Sequence, residues 1–254
     1  MIAPAPPPIP DTATRLLARS PDRRRPMIMH QRWENLLFLH WRISAERIQQ
    51  TLPPDLTVDT FQGDAWLGLS PFFMRDVRFI GTPALPWFSN FLELNVRTYV
   101  VDRRGIPGIW FYSLDCDRMW AAFGARAVQA LPYYLAEMRA NRGDWIDYFC
   151  RRRGTSAPAY FRHRGTGENR LTEPASLEFF VLERYYLFAY RWTTGTLLRG
   201  QVAHAPYRFR DVELAEFSVL PAQLDGFDEI SGAPDHTCIV DGFDVNIFAQ
   251  EKVE

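Results

Sequence analysis

Phe91-Leu92-Glu93-Leu94-Asn95-Val96-Arg97-Thr98-Tyr99-Val100 alternates without a break. A strand has a side-chain period of two, so Phe91, Glu93, Asn95, Arg97 and Tyr99 share one face, and Leu92, Leu94, Val96, Thr98 and Val100 the other. The second face is plain core. The first sets an acid, an amide and a guanidinium between two aromatic rings, and it has two readings. Facing outward, it is an ordinary wet sheet surface. Facing inward, it is a preorganised polar cluster of the kind that holds a small polar ligand.

The flanking sequence predicts more strands. Asp102-Arg103-Arg104-Gly105 turns the chain into the apolar run Ile109–Leu114, and Leu36–Trp41 reads as a buried strand. Ser44 caps a short helix that Pro53-Pro54 ends, and Leu56–Phe61 and Ala65–Phe73 flank Gln62-Gly63-Asp64 as a hairpin. The best helical pattern runs from Asp117 to about Leu131, with Arg126 alone among small and apolar residues. That arginine either snorkels to water or aims a guanidinium fork at a carboxylate. Downstream, Trp145–Cys150, Ala159–Arg164, Arg184–Trp192, Leu197–Ala203 and Val240–Phe248 read as strands, and Ser176–Leu182 as a short helix. Gly165-Thr166-Gly167 reads as a turn, Arg151-Arg152-Arg153 as a solvated strand end, and Glu178 and Glu183 with Arg184 as a structural ion pair. The expected class is α+β, mostly antiparallel β, sheet-rich or closed into a barrel, with two or three short helices. Residues 29–254 form one domain in this reading, behind a disordered Pro/Arg-rich leader over 1–28.

Composition excludes several functions. The net charge of -1 over 254 residues lacks the positive field of a nucleic-acid binder. No apolar window is long enough to span a membrane. Cys116, Cys150 and Cys238 are widely spaced with no C-x-x-C, which predicts buried thiols in a reducing, cytoplasmic setting. The five histidines show no metal-ligand spacing; His40 and His204 could meet beside an acid in space, but no spacing selects them, so no metal and no cofactor are expected. Of the 29 basic residues only Lys252, near the C-terminus, is a lysine. Arginine stays protonated and cannot serve as an amine nucleophile, so lysine-dependent covalent catalysis has almost no candidate.

The phrases Leu36–Trp41, Leu52-Pro53-Pro54, Gly63-Asp64-Ala65-Trp66, Glu93–Val100, Leu131-Pro132-Tyr133-Tyr134 and His204-Ala205-Pro206-Tyr207 resemble, in combination, the YqjF-like bacterial family. That family is in turn similar to the acetoacetate decarboxylase-like superfamily. The resemblance implies a barrel-like, mostly antiparallel fold around a small-molecule cavity, often in oligomers. It also implies that the strand of Glu93 carries the active-site glutamate and that Gly124 and Arg126 match a Gly-Arg pair in the next helix. The decarboxylases place a Pro-Lys-Lys after that helix, whose first lysine forms the Schiff base and whose second lowers its pKa. Here the matching element is Pro132-Tyr133-Tyr134. A phenol can donate a hydrogen bond or act as a general acid, but it cannot condense with a ketone.

Two functional readings follow. In one, the protein binds a small organic acid without turnover, with Arg97, Arg126, Asn95 and Tyr134 as ligand-binding residues. In the other, it is a non-covalent enzyme of the lyase or hydrolase type acting on a small organic or keto acid, with Glu93 as general base or orienting group and Tyr133 as proton donor.

Overall fold

In the computed structural model, residues 9–22, 24–119 and 129–253 are described. One 13-stranded sheet dominates. Its strands are β1 (Met27–Ile43), β2 (Leu56–Val58), β3 (Ala65–Phe79), β4 (Phe91–Asp102), β5 (Pro107–Cys116), β6 (Tyr133–Arg142), β7 (Ile146–Arg152), β8 (Ala159–Leu171), β9 (Tyr186–Arg191), β10 (Thr196–Ala203), β11 (Arg208–Glu216), β12 (His236–Phe248) and β13 (Glu251–Lys252). Neighbours pair antiparallel, except that β5 runs parallel to both β6 and β9. Ladders lead from β5 through β6, β7, β8, β11, β12, β1 and β3 to β4, which pairs back onto β5. A shorter path leaves β12 for β10 and reaches β5 through β9. Two rings of strands therefore share the wall β12-β1-β3-β4-β5.

That shared wall decides which face of β4 is wet: neither is. All twelve residues of β4 are buried. Leu92, Leu94 and Val96 pack into one apolar cluster with Leu39, Met138, Tyr148 and Phe161, toward β6, β7 and β8. Phe91 and Tyr99 belong to a second cluster with Phe38, Phe180, Tyr207 and Cys238. Glu93, Asn95 and Arg97 lie on that second side, 4%, 5% and 5% exposed, so the inward reading of the alternation holds. β1 reaches both rings by bending. Its pairing with β3 shifts between Glu34 and Leu39, where Asn35 takes a positive φ of 50°, a conformation asparagine tolerates better than most residues.

Five short helices occur among the described residues, more than the two or three expected: α1 (Thr12–Leu17), α2 (Ala45–Gln49), α3 (Pro86–Ser89), α4 (Leu177–Leu182) and α5 (Leu220–Leu224). Ser44 caps α2 as the sequence suggests, and Ser176, read as the first residue of its helix, caps α4; each accepts a hydrogen bond from a backbone N–H three residues on. The expected helix over Asp117–Leu131 falls mostly on 120–128, outside the described residues. β2 pairs with β4, not with β3, so the expected hairpin reduces to a tight turn that bridges Phe61 and Asp64.

The leader departs most from expectation. Asp11 caps α1 by accepting from the Thr14 N–H, and β1 already begins at Met27. Arg15 is buried in a bidentate pair with Asp59, at 2.8 and 2.9 Å. Arg19 reaches Glu183 at 3.2 Å. Arg15 and Arg19, which read as part of a solvated leader, thus tie α1 and the turn after it to acids supplied from far along the chain. Gly165 and Gly167 lie inside β8 rather than in a turn. Arg152 is likewise no solvated strand end: it is buried between Asp115 and Asp225, 2.7 Å from each.

Candidate functional site

Beside the wall lies a cavity of about 80 Å³, bounded by β1, β3, β4, β5, the start of β6, β9, β10 and β12. Glu93, Asn95 and Arg97 enter it from β4, Ser70 from β3, Tyr133 from β6 and Arg184 from the segment after α4. Trp33, Leu36, Phe72 and Leu187 supply apolar lining. The size suits a guest of a few heavy atoms or several waters, not a nucleotide.

Glu93 forms the acidic corner. Tyr133 donates its O–H to Glu93 Oε2 at 2.9 Å. Tyr148 donates to the Glu93 carbonyl at 2.9 Å, which fixes the strand behind the carboxyl. Burial pushes the Glu93 carboxyl up to about 7, although hydrogen bonds from Tyr133 and Asn95 oppose the shift. Near neutral pH this group both holds and releases a proton. Tyr133 is driven well above its usual range by burial and by the neighbouring Glu93, so it stays a donor.

Arg97 is the basic corner, and its environment is unusual. No carboxylate of a described residue lies within ion-pair distance of it. Its guanidinium sits over the Phe38 ring at 4.7 Å and makes one long hydrogen bond, 3.4 Å, to the Tyr99 hydroxyl. Arg97 Nε, Asn95 Oδ1 and Ser70 Oγ are buried and find no hydrogen-bond partner among the described residues. A buried guanidinium is costly unless an anion or a set of acceptors compensates it.

Arg184 adds a second cationic group. It donates to Asp59 at 2.6 Å and to the Phe180 carbonyl at 2.6 Å, while its Nη2 has no partner among the described residues. Asp59 is shared with Arg15, so this buried trio carries an excess positive charge.

Glu93, Asn95, Arg97 and Tyr133 thus converge on one cavity. Tyr134 does not join them: it follows Tyr133 on the same strand, so it faces the other way, and the Arg152 guanidinium stacks 4.5 Å from its ring. Arg126 lies outside the described residues. Arg184 pairs with Asp59 rather than with a glutamate, and its place at the cavity has no signal in the local sequence beyond a charge inside an apolar run. His40 and His204 do not meet; His40 bonds Tyr99 and His236, whereas His204 bonds the Ala205 carbonyl and stacks on Tyr185.

With that geometry in hand, solved structures define the class. The chain has the acetoacetate decarboxylase-like fold. It superposes on an acetoacetate decarboxylase-like enzyme from Sphingomonas wittichii RW1 with a TM-score of 0.62 at 13% identity, covering 90% of this chain and 94% of the other. The acetoacetate decarboxylase of Legionella pneumophila gives 0.60 at 14% identity, covering 92% of each chain. The enduracididine biosynthesis enzyme MppR, solved with pyruvate, gives 0.62 at 14% identity over 90% of this chain and 91% of that one. Within that class the chain belongs to DUF2071, a family described as uncharacterized conserved protein, whose model matches residues 30–244. It is 36% identical to the uncharacterised protein YqjF of Bacillus subtilis (strain 168) over 195 residues, which are 76% of this chain and 78% of that protein.

Proposed function

We propose that this protein binds a small organic acid in the β4 cavity without covalent attachment. The carboxylate is gripped by Arg97, and the Glu93–Tyr133 pair presents a proton to the rest of the ligand. One observation carries the reading: Arg97 is a buried guanidinium with a free Nε and no carboxylate partner among the described residues. A carboxylate is the guest that matches its fork in charge and shape. The wall offers no amine, because the only lysine, Lys252, lies in the exposed edge strand β13. Calorimetric titration with pyruvate, the ligand in the MppR structure, tests this. Arg97→Met is expected to weaken binding at least about tenfold, the loss of a charge-assisted hydrogen bond, while remaining folded. Equal affinity in the two proteins would overturn the proposal.

A second reading is favoured by the carboxyl of Glu93, which titrates near 7. General acid–base groups work best when their pKa lies close to the operating pH. In this reading the protein is a non-covalent enzyme of the lyase or hydrolase type, acting on a keto acid. Turnover of a keto acid that Glu93→Gln abolishes, with binding retained, separates it from binding alone.

A further inference from the structure

We infer that the pair His40–His236 is the proton-uptake site of the cavity: a small anion seated against Arg97 draws a proton from solvent onto this pair. The inference rests on the anion-binding reading above.

Four strands of the shared wall present one transverse row. His236 on β12 stands opposite His40 on β1, His40 opposite Gly68 on β3, and Gly68 opposite Arg97 on β4. Gly68 is what lets the row connect. A Cβ there would sit 3.0 Å from His40 Cδ2 and 3.4 Å from Arg97 Cγ, so the missing side chain lets the imidazole lie across toward β4. The bonds run outward in sequence. Arg97 Nη2 donates to the Tyr99 hydroxyl, whose oxygen is 2.7 Å from His40 Nε2. His40 Nδ1 is 3.0 Å from His236 Nδ1, and His236 Nε2 is 3.8 Å from Glu178 Oε1 on α4. His40 is completely buried, whereas Glu178 and His236 are partly open to solvent.

Donor chemistry assigns the protons. A guanidinium only donates, so the Tyr99 oxygen accepts from Arg97 and passes its own hydrogen to His40 Nε2. His40 must then carry its proton on Nδ1 and donate to His236 Nδ1. His236 carries its proton on Nε2, facing Glu178. In that arrangement the Tyr99 and His40 hydrogens each meet an acceptor and the His236 N–H faces the Glu178 carboxylate; the reverse polarity would turn a bare imidazole lone pair toward that carboxylate.

The charges around the pair set the direction of coupling. From β4 come Arg97 and Tyr99, from β12 Cys238, and from α4 Glu178; Arg184 stands against Tyr99, and Arg170 on β8 and Asp211 on β11 act on Cys238. Burial, then the neighbouring His236 and then the Arg97 charge hold His40 well below its usual range. His236 is lowered less severely, since Glu178 favours its protonation. An anion on Arg97 cancels the repulsion that Arg97 exerts on a charge at His40; a proton then entering the pair at His236 Nδ1 shifts the His40 hydrogen from Nδ1 to Nε2, where the Tyr99 oxygen accepts it and the Tyr99 hydrogen turns away. Reciprocally, acid tightens anion binding.

Imidazole ¹⁵N spectra of the full-length protein test both halves. Without ligand, His40 is expected as the Nδ1–H tautomer and His236 as Nε2–H; a His40 proton on Nε2 overturns the relay. On addition of pyruvate, the His236 titration is expected to move up by roughly half a unit or more. Pyruvate that binds while His236 titrates unchanged overturns the coupling and leaves the anion site intact. Pyruvate that does not bind removes both. Calorimetry in two buffers of different ionisation enthalpy gives a second reading: His236→Asn, which keeps an acceptor toward His40 but cannot titrate, is expected to take up fewer protons on binding than the wild type near pH 6.

Discussion

Glu93 is held as an acid by its surroundings, and this has a sign in stability. Its carboxyl titrates near 7 in the folded protein against 4.5 ordinarily. Between those values the folded state keeps a proton that the unfolded chain has lost. The neutral carboxyl therefore supports the fold fully below about pH 4.5, and that support is lost as pH rises through 7. The difference corresponds to about 3 kcal/mol. Glu93→Gln cannot titrate, so its stability relative to the wild type is expected to rise from pH 4.5 to pH 8 when both are unfolded in urea. Parallel stability curves would show that Glu93 ionises freely. This corner was half legible in the sequence: alternation put Glu93, Asn95 and Arg97 on one face, but not whether that face was wet. Burial settles it, and burial comes from β9, β10 and α4, which lie about a hundred residues downstream.

At the level of elements, helix α1 shows how long-range charge pairing escapes a local reading. Proline and arginine content marks residues 1–28 as a leader, yet Arg15 closes on Asp59 beside Arg184. Nothing near Asp59 in sequence announces two guanidiniums. Asp59→Ala strands both inside the fold, whereas Arg15→Ala leaves the Asp59–Arg184 pair intact. Asp59→Ala is accordingly expected to cost about 3–5 kcal/mol in chemical denaturation, and Arg15→Ala distinctly less. Equal losses would mean that Arg15 and Arg184 contribute alike. The turn at Gln62-Gly63-Asp64 illustrates a related limit. Its chemistry was legible, but the partner of β2 was not, because β4 competes for the same edge and wins it through Leu56↔Asp102 and Val58↔Val100.

Across the whole molecule, an acetoacetate decarboxylase-like fold carries phenols where the resemblance places lysines. Tyr133 hydrogen-bonds Glu93, and Tyr134 turns away against Arg152. The substitution was fully legible, since it needs only the letters after Pro132. The second cationic group and the histidine row were not, because each joins strands distant in sequence. Borohydride treatment in the presence of pyruvate, followed by intact mass measurement, is expected to give no adduct on the folded core. A covalent guest on any core residue would contradict the chemistry proposed for this wall. The most direct measurement is electron density from a crystal soaked in pyruvate. The expected result is a carboxylate within hydrogen-bonding distance of Arg97 Nε, with no bond joining the guest to the protein. A cavity holding water alone at saturating pyruvate, or a guest turned with its carboxylate away from Arg97, would contradict it.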